Sequence, residues 1–190
     1  MALLDTRKAR PAESRAGGGE EKLEAGVEAL GADRKRCIKV AASVVRSFTH
    51  RRMDEPEKHV SRLAALQAYE IAGLGPEDID VAGVHDASAM GEILQAENLG
   101  LVPLGGGGPA AERDEFTLGG RLSINPSGGL ESKGHPLGAT GIGQFYELVA
   151  QLRGEAGARQ VEGARHAIQE NGGGLQGVEE AAVAVHILSR

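Results

Sequence analysis

The chain has 190 residues, with 21 basic and 27 acidic side chains and a net charge of −6; that is room for one domain or two small ones, without the basic excess a phosphate-binding surface needs, so no nucleic-acid partner is expected. A single cysteine, Cys37, excludes an internal disulfide framework and a cysteine-rich zinc site, and no apolar run nears the ~20 residues of a membrane span; with no apolar leader in the opening MALLDTRKARPAES, a cytoplasmic chain without a membrane span is expected. Glycine is the unusual component: 29 residues, roughly twice the usual share of about 7%, with 20 of them between Gly100 and Gly177, a clustering that points to special turns inside a folded region.

Residues 1–36 carry Gly17-Gly18-Gly19, dense mixed charge and few large apolar side chains, and read as a loosely ordered arm. A short docking helix at 20–30, with a thin apolar face of Leu23, Val27 and Leu30, is the alternative. A folded domain is expected over 37–190. Residues 38–45 (IKVAASVV) are β-branched and apolar, which predicts a buried strand. Acidic residues around Pro56 mark a helix start near 54; the helix runs to about Ala72, and Gly73 suits the position after its end. Pro76-Glu77-Asp78 is a turn, and 79–84 (IDVAGV) a second short strand. Residues 89–98 read as a helix ended by Gly100, and 105–109 as a flexible loop. A short strand at 121–125 enters a glycine-rich bend at 126–134. The next helix begins near Leu137 or Gly138, with Ile142, Phe145, Val149 and Leu152 at helical spacing. Residues 164–169 are a strand and 171–174 a tight turn. The clearest strand is 181–188, with Val183, Val185 and Ile187 on one face and Ala182, Ala184 and His186 on the other. Strands alternating with helices give the α/β fold class, helices covering a mainly buried sheet.

Two histidine segments carry candidate chemistry. His85-Asp86-Ala87-Ser88 follows a predicted strand directly, the place where open α/β sheets hold ligands. A histidine there can carry protons or donate to an oxyanion; equally, Asp86 or Ser88 caps the next helix and His85 is merely solvated. His135 stands in a glycine-rich loop just before a helix. Flanking glycines give a bulky substrate access to the imidazole, and a helix N-terminus favours developing negative charge; the plainer reading is a strand-to-helix loop with a surface histidine. Asn171, in Glu170-Asn171-Gly172-Gly173-Gly174, either donates a hydrogen bond or starts a turn. Dinucleotide and phosphate-loop fingerprints, Gly-x-Ser-x-Gly and metal-ligand spacings are absent, so no metal is expected.

The segment from Asn125 to Gly141, NPSGGLESKGHPLGATG, is similar to the signature in the C-terminal half of the thiolases, within the sterol-carrier-protein-type (lipid-transfer) branch. VHDAS (Val84 to Ser88) resembles that branch's His-Asp loop, and QLRGEAGARQVEGAR (Gln151 to Arg165) is typical of it. The resemblance runs from about Lys39 to Leu188, and residues 1–36 match nothing in it. It implies one of the family's two similar α/β halves: a mixed five-stranded sheet covered by helices, from a layered and usually dimeric enzyme. It implies that His135 is the base that activates a nucleophilic cysteine and that His85 helps to hold the thioester oxygen. Asn171 stands where many thiolases carry a second, acid/base cysteine, and Ala87 where parts of the lipid-transfer branch carry it; both places lack one here. Asp86, Ser88, Gly134, Gly138 and Gly173 are implied to contact the substrate, a coenzyme A thioester, with no other cofactor.

The family's nucleophilic cysteine belongs to the N-terminal half, on a strand-to-helix turn, whereas Cys37 sits beside a predicted strand. The expectation is therefore the C-terminal domain of an acyl-CoA acyltransferase of the acetyl-CoA C-acetyltransferase type, incomplete alone. Its partners would be acyl-CoA and a thiolase N-terminal half or full-length thiolase subunit, in a homo- or hetero-oligomer; a truncated gene product is the other source of such a chain. The alternatives are a retro-aldolase subunit that cleaves β-hydroxyacyl-CoA with a partner protein, and a non-catalytic acyl-CoA or lipid-binding module.

Overall fold

In the computed structural model, which describes residues 33–190, the β-branched run after Cys37 forms strand β1 (Lys39–Ser47). The chain divides after Cys37, and the unit from Ile38 to Arg190 holds all five strands of the described residues. The expected helix at 20–30 and most of the expected arm lie outside the described residues.

Helix α1 (Val60–Ala72) starts later than Pro56 suggests. Pro56–Lys58 form a single 3-10 turn, which His59 closes in an extended conformation (ψ 137°). The His59 ring then accepts the Ser61 N–H at 3.2 Å and caps the α-helix proper. Its end is at Gly73, whose φ of 68° is a left-handed conformation that glycine adopts without strain. Strand β2 (Val81–Gly83) leads through the His85 turn to helix α2 (Ala89–Asn98). The expected loop at 105–109 is instead the start of helix α3 (Gly107–Glu112). Gly107 is drawn against α2: its N–H donates to Glu97 Oε1 at 2.9 Å, and a Cβ there would meet Ile93 at 2.7 Å. Strand β3 (Ser123–Ile124) runs into the glycine-rich bend, which contains the short helix α4 (Gly129–Lys133) before α5 (Thr140–Arg153). Strands β4 (His166–Gly173) and β5 (Ala182–Ser189) complete the sheet.

The sheet order is β1-β5-β4-β2-β3. β1, β5 and β4 pair antiparallel; β4, β2 and β3 are parallel. It is the mixed five-stranded, helix-covered sheet that the resemblance implied. The expected turn at 171–174 gives way to strand: Asn171, Gly172 and Gly173 pair with Ala184, Val183 and Ala182. β5 offers these residues a ladder, which outweighs the turn preference of an Asn-Gly pair.

Alternation along the strands separates two cores. Ala82, Ile168 and Ile187 join α1 and α2 in the larger one, through Val60, Ala64, Ala68, Ala96 and Leu99. Their neighbours Val81, Ala167 and Leu188 face the other way, against Leu148 and Leu152 of α5. Helices therefore lie on both faces of the sheet. Of the positions at helical spacing in α5, Leu152 is buried and Phe145 and Val149 pack against this core beside Leu148, and Ile142 alone departs, at 72% exposed.

Candidate functional site

Because β2, β3 and β4 are parallel, their C-terminal ends lie along one edge. His85 follows β2, Asn125 follows β3, and Asn171 lies near the end of β4, so residues far apart in sequence meet there. Asn125 ties this edge together. Its Oδ1 accepts the Val84 N–H at 2.9 Å, its Nδ2 donates to Glu92 Oε2 at 2.9 Å, and its backbone N–H donates to Ala82 O at 2.8 Å. It holds a φ of 47° to do so. Burial pushes the Glu92 carboxyl above its ordinary range, opposed by the hydrogen bond from Asn125.

His85 is half-buried and fixed at two points. Its backbone N–H donates to Glu170 Oε2 at 3.1 Å, and its ring Nδ1 lies 3.0 Å from Asn171 Oδ1. An amide oxygen only accepts, so the ring proton is on Nδ1 and Nε2 is left for other partners. Glu170 is fully buried; the Ser61 hydroxyl donates to its other oxygen at 3.5 Å. Desolvation pushes its carboxyl up to about 8, against the pull of the His85 N–H.

His135 is exposed on the loop between α4 and α5. Its ring meets the His85 ring edge-on, with centroids 4.9 Å apart and planes at 87°. Its Nδ1 lies 2.6 Å from Thr140 Oγ1. Both rings border an open cleft of about 950 Å³, as do Asn171, Gly138 and Gly173. Gln169 and His186, which also border it, begin a polar chain that runs inward: His186 Nδ1 lies 2.6 Å from Gln169 Oε1, Gln169 Nε2 donates to Gln144 Oε1 at 2.6 Å, and Gln144 Nε2 donates to Glu170 O at 3.1 Å. Burial lowers the pKa of His186. Leu137, Ile142, Leu175 and Met53 form an exposed apolar rim.

The other residues named from the sequence lie elsewhere. Asp86 is 4% exposed and turned beneath α4, where Oδ1 accepts the Leu130 N–H at 2.8 Å and Oδ2 the Glu131 N–H at 3.5 Å. A Cβ on Gly129 would run into that carboxylate, so glycine is required there. Ser88 caps α2 by accepting the Gly91 N–H at 3.1 Å. Gly134 borders a separate hollow of about 290 Å³ beside α4 and α5. Asn125, Thr140 and Glu170 hold the histidines and their loops yet were not singled out as site residues from the sequence. The one available signal was a glutamate close behind the apolar pair of a predicted strand, Ala167-Ile168-Gln169-Glu170. Among the described residues, no three of His, Cys, Asp and Glu gather as a metal site, and no helix is long and apolar enough to cross a membrane.

A family model described as "Thiolase C-terminal domain-like" matches residues 42–190. The chain is 47% identical over 156 residues to "Acetyl-CoA acetyltransferase" of Methanothermobacter thermautotrophicus, covering 80% of this chain and 40% of that protein. It is 56% identical over 112 residues to "Sterol carrier protein 2" of Rattus norvegicus, covering 59% of this chain and 20% of that protein. Among solved structures, a chain titled "Ltp2-ChsH2(DUF35) aldolase" is similar with a TM-score of 0.65 over 80% of this chain and 39% of its own length; at 20% identity this is a likeness of fold. The chain thus spans 20% to 40% of the length of these two curated relatives.

Proposed function

The chain belongs to the thiolase C-terminal domain-like family, and on that premise we propose that it is the C-terminal domain of an acyl-CoA acyltransferase of the acetyl-CoA C-acetyltransferase type. Acyl transfer from a thioester needs an attacking thiolate, a base and donors for the oxyanion. In this reading His135 takes the thiol proton at Nε2, and His85, held through Nδ1, turns Nε2 to the thioester oxygen and donates to it once that nitrogen has taken up a proton. Asn171 acts by holding His85, and Gly138 and Gly173 leave the cleft open to the acyl-CoA. Asp86, Ser88 and Gly134 act at one remove, by holding the loops that carry the two histidines. The carrying observation is the His85–His135 pair, edge-on at 4.9 Å and bordering the same cleft. The nucleophilic cysteine comes from a thiolase N-terminal half or full-length subunit, docked on the apolar rim.

The test is thiolysis of acetoacetyl-CoA by this chain alone and by a chimera with a relative's N-terminal half fused ahead of residue 38. Activity is expected from the chimera only, to fall at least about 100-fold in His135→Ala and to survive Cys37→Ser. Thiolysis by this chain alone that Cys37→Ser leaves intact overturns the need for a supplied cysteine. A chimera that neither thiolyses nor binds acyl-CoA in calorimetry overturns the acyltransferase reading.

Ala87 and Asn171, which leave both places for a second cysteine empty, favour one further reading. Retro-aldol cleavage of a β-hydroxyacyl-CoA needs a base and no acyl-cysteine, so a retro-aldolase subunit working with a partner protein is the alternative. Release of an aldehyde or ketone from β-hydroxyacyl-CoA, without thiolysis, selects it. Binding of acyl-CoA with neither activity leaves a non-catalytic binding module.

A further inference from the structure

We infer that Thr140 is a positioning residue that fixes the tautomer of His135, so that Nδ1 carries the proton and Nε2 stays bare. The inference deepens the proposed function, because it rests on His135 being the base.

Thr140 opens α5 and has one hydroxyl proton to give. Its Oγ1 donates to the Pro136 carbonyl, four residues back, at 3.3 Å, the back-bond that threonine makes readily in a first helical turn. That carbonyl, which also accepts the Ala139 and Thr140 N–H groups, can only accept, so a hydroxyl proton directed to it is not available to the ring. The 2.6 Å contact between Thr140 Oγ1 and His135 Nδ1 then has the ring as donor. This is the one side-chain hydrogen bond of His135 among the described residues, and residues 131–139 around it are all exposed. Gly134 (φ 81°) and Gly138 (φ 80°) turn the loop at either side, so the loop backbone gives the ring little support of its own. Thr140, half-buried at the helix start, is the fixed end of the contact. Removing the hydroxyl while keeping its shape frees the ring to adopt the Nε2-protonated form that imidazole side chains favour in water, in which Nε2 cannot accept a proton.

The test is 15N NMR of histidine-labelled chain, with wild type, Thr140→Val and Thr140→Ser compared at about pH 9, where imidazoles are neutral. Wild type and Thr140→Ser are expected to show a protonated Nδ1 and a bare Nε2 at His135. Thr140→Val is expected to move the population toward protonated Nε2, with the amide spectrum otherwise kept. Wild-type His135 protonated at Nε2 overturns the inference, even if the valine variant does not fold. An unchanged tautomer in a folded Thr140→Val overturns it as well. In the fused chimera, Thr140→Val is expected to lower kcat roughly 10- to 100-fold with KM within about twofold, and Thr140→Ser to restore it. A shifted tautomer with unaltered kcat counts against His135 as the base and leaves the tautomer assignment standing.

Discussion

Glu170 lies fully buried behind His85, and its carboxyl takes up the His85 backbone N–H. Unfolded, this carboxyl ionises in the ordinary range near 4.5; folded, desolvation holds the proton up to about 8. The folded state therefore binds the extra proton between these values, and the stability linked to it is complete below about 4.5 and lost as pH rises toward 8. Glu170→Gln keeps the acceptor and cannot ionise. Urea unfolding is expected to give similar stability for both proteins near pH 5 and a variant more stable by roughly 1–3 kcal/mol at pH 9. A wild type that holds its full stability at pH 9 would sink this account. Gly129 gives a second expectation at this scale. With a φ of 61° and the Asp86 carboxylate where a Cβ would go, Gly129→Ala should cost about 2–4 kcal/mol in the same measurement, and Asp86→Ala about 1–3 kcal/mol through two N–H groups left without an acceptor. His135 and His85 were legible in the sequence because their signal is local: a histidine among glycines before a helix, and a histidine directly after a strand. Glu170 and Asn125 were not singled out because their partners lie 85 and 41 residues away, and only the parallel pairing of β2 with β3 and β4 brings them together.

At the scale of elements, periodicity located the longer helices and strands, and their boundaries moved where a neighbour supplied a partner that the sequence does not display. β4 runs on through Asn171 and Gly173 because β5 pairs with it. α3 and α4 were hidden in glycine-rich stretches, since glycine's low helix propensity speaks against them; Glu97 accepts the Gly107 N–H, and Asp86 caps α4. In α5, Phe145, Val149 and Leu152 pack on the core as their spacing suggests, but Ile142 does not, and the buried face also takes Leu148 and the polar Gln144, Glu147 and Gln151. Glu147 and Gln151 satisfy each other there, at 3.1 Å, and Arg159 pairs with Glu147 at 2.9 Å. This yields a paired prediction. Leu148→Ala, at 1% exposure, should lower stability by about 2–4 kcal/mol, whereas Ile142→Ala should change the stability of this chain by less than about 0.5 kcal/mol. Equal losses in urea unfolding would mean that Ile142 is covered within this chain.

At the scale of the whole molecule, the two faces of α5 differ in a way that bears on assembly. One face closes a core of this chain, while Ile142 (72% exposed) and Tyr146 (76% exposed), one turn apart, point away from it. Leu137 (85% exposed) and Leu175 (80% exposed) border the same cleft as Ile142. Large apolar side chains exposed together at the mouth of a cleft mark a surface that another protein covers, and the curated relatives above are longer by 60% or more of their own length than the part this chain matches. A chain presenting that surface uncovered should self-associate. Light scattering at tens of micromolar is expected to give a mass above that of one chain, and the double variant Ile142→Asp with Tyr146→Asp to return it toward a monomer. Both residues are exposed, so the variant should keep the wild-type unfolding free energy within about 0.5 kcal/mol, which separates lost association from lost folding. In the fused chimera the same double variant should unseat the added half and lower thiolysis, even though neither residue is assigned a part in the proton transfers. A wild-type chain that stays monomeric at this concentration, or a chimera indifferent to both aspartates, would remove this face as the docking surface and leave the cleft to be closed from another side.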